Sequence, residues 1–557
     1  MTAMTRPERI FHNGNVFTAD ADRSRAQAMA VADGTFVAVG SDLDVKALAG
    51  PGTELVDLRG RMLLPGIVDV HNHHLRGGQA DLYELKILPT MSLDAVLDAV
   101  RARCATTKPG EWVFGGIWGS HLVEAIGQAS ALAALDAVSG AHPVMLRDDS
   151  QHNRWVNSRA LELIGINANT RDPQDGEIQR DGATKAATGL LLERASGLAE
   201  QAVERSIPDL AARNKASCRR AVEILNGYGV TAFQDATTVL PFLEALAALD
   251  RANELNGWCV TSLPGQRTLS GADLVGDELI ARREAYRTRH VRPDFIKLFM
   301  DGVPTTRTAA MLTPYRATRL QGCCFCGDPL ISIPALVRWI AKAEKHGMRL
   351  KVHCTGDAAV RDTLDAIDVV RSFNGPGNGP GPVHHIAHAG FVAAADIPRF
   401  RALNVAADLS PIIWYPGPIQ QAIRAALPED RADFYWPLRD LHEAGALMAA
   451  GSDWPVVANP DPWLGIEGMI TRRNPRGGYD GALWPEQALD LETVLRIYTV
   501  NAALAMGLSD LTGSVEAGKS ADFIVVDRDL FATAPEQLSQ TKVLSTWFEG
   551  RQVHEAA

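Results

Sequence analysis

The sequence predicts an α/β protein: a (β/α)8 barrel with a small β-sandwich built from both chain ends and an inserted unit after the first barrel strand. Three observations support this prediction. Eight short apolar strand patterns alternate with helical stretches along the middle of the chain. Strand-rich segments with turn residues stand at both ends, and one interval between strand patterns is far too long for a simple connection.

The two chain ends read as short strands separated by turns. Residues 1–64 contain RIFHNGNVFTAD, AMAVADGTFVAVGS and TELVDLRGRMLL, with NG and DG pairs that are typical of tight turns. Residues 511–557 contain two further strand patterns, ADFIVVDRDL and KVLSTWFEGRQVHE. We therefore expect both ends to contribute to one β-sandwich.

Residues 65–510 carry the alternating pattern of a parallel barrel. Strand candidates lie at 62–71, 229–236, 258–264, 294–302, 348–356, 382–390, 403–411 and 446–455. Eight strands of this kind, with helices between them, predict a closed barrel. The interval from about 75 to 228 must hold an inserted unit over the barrel mouth.

Composition excludes several classes of function. The chain has 557 residues, a formal net charge of −11 and 22% charged residues, so a nucleic-acid or anionic-membrane partner is not expected. The sequence contains no apolar run of about 18 residues, and its start lacks the apolar segment of a secretory signal. The seven cysteines do not form a disulfide framework, so we expect a reduced, cytoplasmic protein.

Polar residues with metal-binding chemistry stand where the predicted strands end. Barrel proteins place their active sites at the carboxyl ends of the strands, so residues far apart in sequence converge there. Strand side chains alternate, so the first two histidines of VDVHNHH share one face and the third, His74, points away. Imidazole and carboxylate suit Zn²⁺ and similar divalent ions. The candidates are His71, His73, Lys297, His353, His388 and Asp453.

The chain contains, in order, HNGNVFTAD, LPGIVDVHNHH, GVTAFQDA, FIKLFMDG, VHCTGDAAV, HIAHAGF, AAGSDWPV and GSVEAGKSADFIVVD. In these stretches, which run from the N-terminus almost to the end of the chain, it resembles the amidohydrolase superfamily. The resemblance is to its amidohydrolase-3 branch, which is described as YtcJ-like or N-substituted formamide deformylase-like. The set is highly specific for the family and only weakly specific for a substrate. The resemblance implies a TIM-like metal-dependent hydrolase barrel.

The resemblance also implies a metal centre and a division of roles. Asp453 contacts metal and shuttles the proton of the attacking water, and Asp453 and His388 are the expected catalytic residues. Lys297 occupies the place of a carboxylated lysine that bridges two ions, so two zinc ions are favoured; an unmodified Lys297 would favour one. The implied metal ligands are the six candidates, His71, His73, Lys297, His353, His388 and Asp453.

Some residues depart from the family pattern or raise a question of orientation. Strand six of this branch usually reads Glu-His, but this chain has Ala387-His388. Alternation counted from His388 places His384 inside the barrel and His385 outside. On strand five, Lys351 shares parity with His353 and is expected inside the barrel, where a buried lysine must meet a carboxylate unless the predicted register is wrong.

Four residues are candidates for substrate binding. His152 and Asn157 stand in DDSQHNRWVNSRAL of the inserted unit, where helix capping and packing is the alternative role. Trp454 follows Asp453 directly and is a candidate for the pocket wall. Cys324, in GCCFCG after strand four, either lines the pocket or packs within its loop.

These observations predict a metal-dependent hydrolase that cleaves a C–N bond other than a peptide bond. The expected substrate is an amide, formamide or cyclic amide in a small organic molecule, attacked by metal-activated water. One alternative is a hydrolytic deaminase of an aminoheterocycle, and another is a catalytically inactive scaffold with the same fold. We expect a homo-oligomer, with a dimer favoured.

Overall fold

The structure is a computed structural model that describes residues 6–22, 24–149, 153–174, 176–267, 274–318, 321–374, 381–413 and 415–556. Within these ranges the chain forms a parallel barrel, a β-sandwich and an inserted β-sheet. This arrangement confirms the predicted fold class.

Eight parallel strands in the described part of the chain form the barrel, and we number them one to eight in chain order. The backbone N–H of Asp453, just after strand eight, donates to the carbonyl of His71 in strand one at 2.6 Å, which joins the first and last strands. The strands are Ile67–Asn72, Val230–Asp235, Trp258–Pro264, Val291–Phe299, Arg349–Cys354, His384–His388, Val405–Leu409 and Leu447–Ala450.

The first predicted strand, at 62–71, was wrong in one respect, because the structure divides it in two. Met62–Pro65 belongs to the sandwich, and Ile67–Asn72 opens the barrel. Gly66 separates them at a close approach, where a Cβ atom would lie 2.0 Å from Oγ1 of Thr231. The sequence did contain a signal for this division, because Pro65-Gly66 is a pair that typically marks a turn.

Helices cover the outside of the barrel and bury apolar residues at helical spacing. Asp357–Asn374, for example, buries Val360, Leu364 and Ile367 on the face toward the strands. No helix in the described ranges is long and apolar enough to span a membrane. The barrel helices are His74–Tyr83, Leu210–Gly227, Leu240–Arg251, Gly276–Arg282, Ile333–Lys345, Asp357–Asn374, Ile397–Ala402, Pro418–Ala426, Glu429–Ala432, Leu438–Glu443, Pro462–Thr471, Leu491–Ile497 and Val500–Met506.

The two chain ends build the sandwich together. One sheet has the order Thr35–Gly40, Ala28–Ala32, Arg9–His12 and Glu54–Asp57, with helix Asp42–Lys46 beside it. The other has the order Arg551–Glu555, Val543–Phe548, Phe523–Val526, Met62–Pro65, Asn15–Phe17 and Arg25–Ala26. Phe11 of the first sheet packs edge-on against Phe523 and Trp547 of the second, with ring centroids 4.9 and 5.0 Å apart.

The long interval between strands one and two holds the inserted sheet. Its strand order is Gly176–Arg180, Ala187–Glu193, Arg154–Val156, Val144–Asp148 and Val113–Trp118. Its helices are Leu93–Cys104, Val123–Ile126, Ala129–Ser139, Ser158–Ile164 and Ser196–Arg205. Arg147 forms ion pairs with Glu84, at the end of the first barrel helix, at 2.5 Å and with Glu200 at 2.9 Å. This buried cluster fixes the inserted unit against the side of the barrel mouth.

Candidate metal centre

Three potential ligands converge at the mouth of the barrel. Nε2 of His71 and Nε2 of His73 lie 3.7 and 3.5 Å from Oδ1 of Asp453. One ligand atom from each of the three residues falls within 4.8 Å of the others. His71 and Asp453 are buried and His73 is partly buried. Sequence reasoning had predicted all three residues from strands at opposite ends of the barrel sequence.

The backbone around these ligands is held by a buried carboxylate, Asp69. Its Oδ1 accepts from the N–H groups of His71 and Ser452, both at 3.0 Å, and its Oδ2 accepts from the Ser452 hydroxyl at 2.7 Å. Asp69 therefore ties strand one to the turn after strand eight. Asp453 itself has a φ of 56°, an unusual conformation that this turn supports.

His388 and His353 continue the cluster along the mouth. The His388 ring centroid lies 4.8 Å from that of His71 and 4.6 Å from that of His353. His388 has a φ of 72°, so the backbone turns sharply at the end of strand six. His353 Nε2 lies 3.0 Å from the carbonyl oxygen of Gly302, within the loop that follows strand four.

Lys297 completes the set of six candidates. Its side chain is buried, and its ammonium group lies 4.8 Å from the centroid of the Phe299 ring. Burial, reinforced by the charge of Lys351, lowers the pKa of Lys297 to about 8. The charge of Lys297 in turn helps to lower the pKa values of the imidazoles of His71, His73 and His388.

The electrostatics of this site favour neutral imidazoles. Burial is the main cause: it lowers the pKa values of His71 and His388 well below the ordinary value, and it lowers that of His73 to about 4. Burial also raises the pKa of Asp453 to about 7, although the charge of Lys297 opposes this effect. Metal ions require unprotonated histidine. Two imidazole nitrogens and one carboxylate oxygen at this spacing form a donor set that fits a divalent ion such as Zn²⁺.

A second group of polar side chains, from strands five, six and seven, lies inside the barrel next to the cluster. Lys351 donates to Oδ2 of Asp408, and the same oxygen lies 3.3 Å from Nδ1 of His71. Burial opposes ionisation of Asp408, but the charge of Lys351 and the hydrogen bonds from His385 and His71 hold the pKa of this carboxyl well below its usual value. Lys351 thus meets a carboxylate, as one of the two sequence interpretations required. Sequence reasoning missed Asp408, although an acid within the apolar run NVAADLS was a usable signal.

The orientations predicted for the two histidines of strand six were wrong. His385 lies inside the barrel, with Nδ1 3.3 Å from the Lys351 ammonium. His384 faces the helices, where its Nε2 lies 3.1 Å from Oε1 of Glu344. The prediction counted alternating side chains backward from His388, but the positive φ of His388 interrupts the alternation at that residue.

Two further features near the mouth were resolved by the structure. His74 points away from the cluster and contacts Asp235 at 2.8 Å and Cys218 at 3.3 Å, all three being buried.

Asp301, which sequence reasoning missed, accepts from the N–H groups of Thr355 at 3.0 Å and Gly356 at 2.8 Å. Asp301 thereby links the end of strand four to the end of strand five, the strand that carries His353.

Of the candidate substrate-binding residues, Trp454 lies beside the cluster. It is buried against Gly77, where an added Cβ would come within 2.4 Å of the indole ring. Trp454 also lines a cavity of about 1320 Å³, together with Arg76 of the first barrel helix, Arg147 of the insertion and Val456 after strand eight. Trp454 therefore connects the turn that carries Asp453 with the lining of this cavity, which includes none of the six candidate ligands.

The other candidates are placed differently. Asn157 is buried and caps helix Ser158–Ile164; its amide accepts from Ala160 and Val144 N–H groups and donates to Ser139 and His142. The alternative role, helix capping and packing, therefore applies to Asn157, because the four hydrogen bonds use all the donors and acceptors of its amide. Cys324 is exposed on its loop, with its sulfur 3.6 Å from that of Cys323. His152 lies outside the described residues.

The fold and the site together define a class: a TIM-type barrel with a terminal β-sandwich and potential metal ligands at its mouth. Among solved structures, the chain is similar to an uncharacterized metal-dependent hydrolase from Pyrococcus horikoshii, with a TM-score of 0.74 and 22% identity. That match covers 95% of this chain and 99% of the other.

The sequence profile described as "Amidohydrolase family" matches residues 54–554. The chain belongs to this amidohydrolase family. It is 30% identical to N-substituted formamide deformylase of Arthrobacter pascens, over 97% of this chain and 96% of the relative. It is also 28% identical to the putative amidohydrolase YtcJ of Bacillus subtilis, over 98% of this chain and 99% of that protein.

Proposed function

We propose that this protein is a metal-dependent hydrolase that cleaves a C–N bond of a small organic molecule. The substrate class is an amide, a formamide or a cyclic amide. The observation that carries the proposal is the convergence of His71, His73 and Asp453 within 4.8 Å at the mouth of the barrel. The similarity to a relative named N-substituted formamide deformylase supports a C–N bond as the target.

We propose that the site would hold zinc, with two ions favoured over one and held in part by a carboxylated Lys297. Its ammonium has a pKa lowered to about 8, so a substantial neutral fraction is available near physiological pH to react with carbon dioxide. When bound, a divalent ion polarises the substrate carbonyl and makes a water molecule acidic enough to attack near pH 7. The proposed ligands are His71, His73, Lys297, His353, His388 and Asp453.

Asp453 is the proposed general base and acid. Its Oδ1 lies 3.7 and 3.5 Å from Nε2 of His71 and His73, so the carboxylate faces the place where a bound ion would activate water. It takes the proton of the attacking water and delivers it to the leaving nitrogen. His388, between His71 and His353, keeps an unprotonated ring at the centre of the site. Trp454 forms the adjoining wall of the substrate pocket.

The test combines elemental analysis with turnover on a panel of amides, formamides, cyclic amides and aminoheterocycles. We expect one to two zinc ions per chain and hydrolysis of at least one amide class. Asp453→Asn should reduce turnover by about 10²-fold to 10⁴-fold, because it removes the proton carrier. Asp480→Asn, which removes an exposed carboxylate at 480, is the matched control and should retain full turnover.

Three outcomes would contradict this proposal. Near-normal turnover in Asp453→Asn would remove the assigned proton carrier. Release of ammonia from aminoheterocycles alone would indicate the deaminase alternative. A protein that takes up no divalent metal and hydrolyses no substrate would correspond to the inactive scaffold.

We also propose a cytoplasmic homodimer that binds neither nucleic acid nor membranes. The net charge of −11 supports the second part of this proposal, since anionic partners would be repelled. Light scattering coupled to size-exclusion chromatography should give about 120 kDa, twice the 60.0 kDa of one chain. A mass of one chain at micromolar concentration would contradict the dimer.

A further inference from the structure

The interior of the barrel holds a charged pair that the proposed reaction does not use. Lys351 of strand five and Asp408 of strand seven are fully buried, as is His385 of strand six between them. Lys351 donates to Oδ2 of Asp408 and, at 2.8 Å, to the carbonyl oxygen of Val70. His385 lies 3.3 Å from Lys351 through Nδ1, and its Nε2 lies 3.0 Å from the carbonyl oxygen of Ala505.

Such a pair is not explained by stability alone. Two buried charges lose their hydration, and replacing a buried ion pair with apolar side chains of similar volume is often neutral or stabilising. The parallel register sets Ala387 directly opposite Asp408 on the neighbouring strand. Beside this small alanine, the Asp408 carboxylate reaches Nδ1 of His71 in strand one.

The carboxylate meets the outer nitrogen of a candidate metal ligand. Oδ2 of Asp408 lies 3.3 Å from Nδ1 of His71, while Nε2 of the same ring faces Asp453 at 3.7 Å. An imidazole that donates Nδ1–H to a carboxylate must carry its lone pair on Nε2, so the contact selects both a tautomer and a ring orientation. Lys351 also holds the backbone of Val70, the residue that precedes His71.

We propose that Lys351 and Asp408 are a positioning pair that holds the His71 ring with Nε2 directed at the metal centre. Asp408 acts on the ring, and Lys351 acts through Asp408 and Val70. The inference rests on the proposed function only in requiring that His71 binds a divalent ion. It does not depend on which bond the enzyme cleaves.

The decisive variant is the double substitution Lys351→Met/Asp408→Leu, which removes both charges at once. It should fold, because neither charge is left buried without its partner. Asp408→Asn is the second variant, and it removes only the carboxylate that faces His71. Glu344→Gln is the matched control, since Glu344 contacts His384, the neighbour of His385 that faces the helices.

Zinc affinity of the metal-stripped protein, measured by competition with a chromophoric chelator, is the main readout. We expect it to fall about 10-fold to 100-fold in the double variant and in Asp408→Asn, as when a carboxylate behind a ligating histidine is removed. The visible absorption of the cobalt-loaded protein should change in the same two variants. Glu344→Gln should leave both readouts within about twofold of wild type, even if its unfolding midpoint falls.

The result that overturns the inference is a folded double variant with the zinc affinity and cobalt spectrum of the wild type. An equal loss of affinity in Glu344→Gln would also overturn it, because a general effect of barrel stability would then suffice. Wild-type protein that binds zinc but hydrolyses no amide would contradict only the proposed function. Wild-type protein that binds no divalent metal would contradict both.

Discussion

Gly451, directly after strand eight, occupies a position where the structure leaves no room for a side chain. A Cβ at this position would lie 2.4 Å from the backbone nitrogen of His71, 2.7 Å from Oδ1 of Asp69 and 2.8 Å from Cβ of His71. Favourable contacts between heavy atoms occur at about 3.5 Å, so the first distance is short by about 1 Å. The two His71 atoms belong to or adjoin the backbone, and Oδ1 of Asp69 is held in place by the N–H groups of His71 and Ser452. Gly451→Ala must therefore push strands one and eight apart.

The expected cost follows from the size of this overlap. Inserting one carbon into a well-packed interior typically costs about 1–3 kcal/mol, and contact with backbone atoms favours the upper part of that range. The same displacement would stretch the 2.6 Å hydrogen bond from the Asp453 N–H to the His71 carbonyl. Because this bond sets the spacing between two proposed ligands, zinc affinity should also fall, by about 10-fold or more.

Denaturant unfolding of the zinc-free protein and chelator competition measure the two effects separately. Because the chain contains several structural units, it can unfold in more than one transition, and the first of them is the one to compare. Gly182→Ala is the matched control, since a Cβ there meets no atom within 4 Å. If Gly451→Ala unfolded within about 0.5 kcal/mol of wild type and bound zinc equally well, the geometric reasoning about this turn would be refuted.

Three further predictions concern other parts of the molecule. Burial opposes the charge on His290, but contacts with Asp250 at 2.5 Å and Glu549 at 3.3 Å raise its pKa above 6.5. The stabilisation by protonated His290 is fully present below about pH 6.5 and is lost as the pH rises through the pKa of His290 in the folded protein. In denaturant titrations, His290→Gln should therefore lower the free energy of unfolding more at pH 6 than at pH 9. Asn157→Ala should lower the free energy of unfolding by about 1–2 kcal/mol through loss of a helix cap, and kcat/KM should not change. A drop in kcat/KM would indicate that Asn157 contacts the substrate. Zinc at about 100 times the wild-type dissociation constant should stabilise the wild-type protein by about 2.7 kcal/mol in calorimetry. An equal gain in His73→Ala at the same zinc concentration would contradict the assigned ligand.

The barrel could be predicted because its strands are short apolar runs separated by helical patterns. Each of the eight predicted ranges overlaps a barrel strand, as at Trp258–Pro264, where the bounds agree. The first predicted strand differs in its bounds, because the structure divides the run from Met62 to Asn72 between two sheets at Gly66. Burial on both sides gives the two strands the same apolar composition, which makes them read as one run, and Pro65-Gly66 between them was the overlooked signal for the boundary.

The spacing of His71 and His73, two residues apart on one strand, was sufficient to predict that they share a face. The contacts with Asp453 bear out that part of the reasoning. Orientation within strand six could not be derived in the same way, because His388 adopts a positive φ that alternation does not anticipate. The sequence required a carboxylate partner for Lys351 but could not identify it as Asp408, since the two residues are 57 positions apart and meet only across the barrel interior.

The amino-acid sequence by itself determined the periodicity of the strands and the residue types at their ends. These features depend on local patterns of apolar and polar side chains, and they were sufficient to predict the fold class and the candidate ligands. Only the tertiary structure decided which polar groups face one another: Asp69 with Ser452, Asp408 with His71, and Asn157 with its own helix. Closure of the barrel brings together strands that are hundreds of residues apart, and the contacts across that closed interior depend on register, twist and local backbone turns that no single segment encodes.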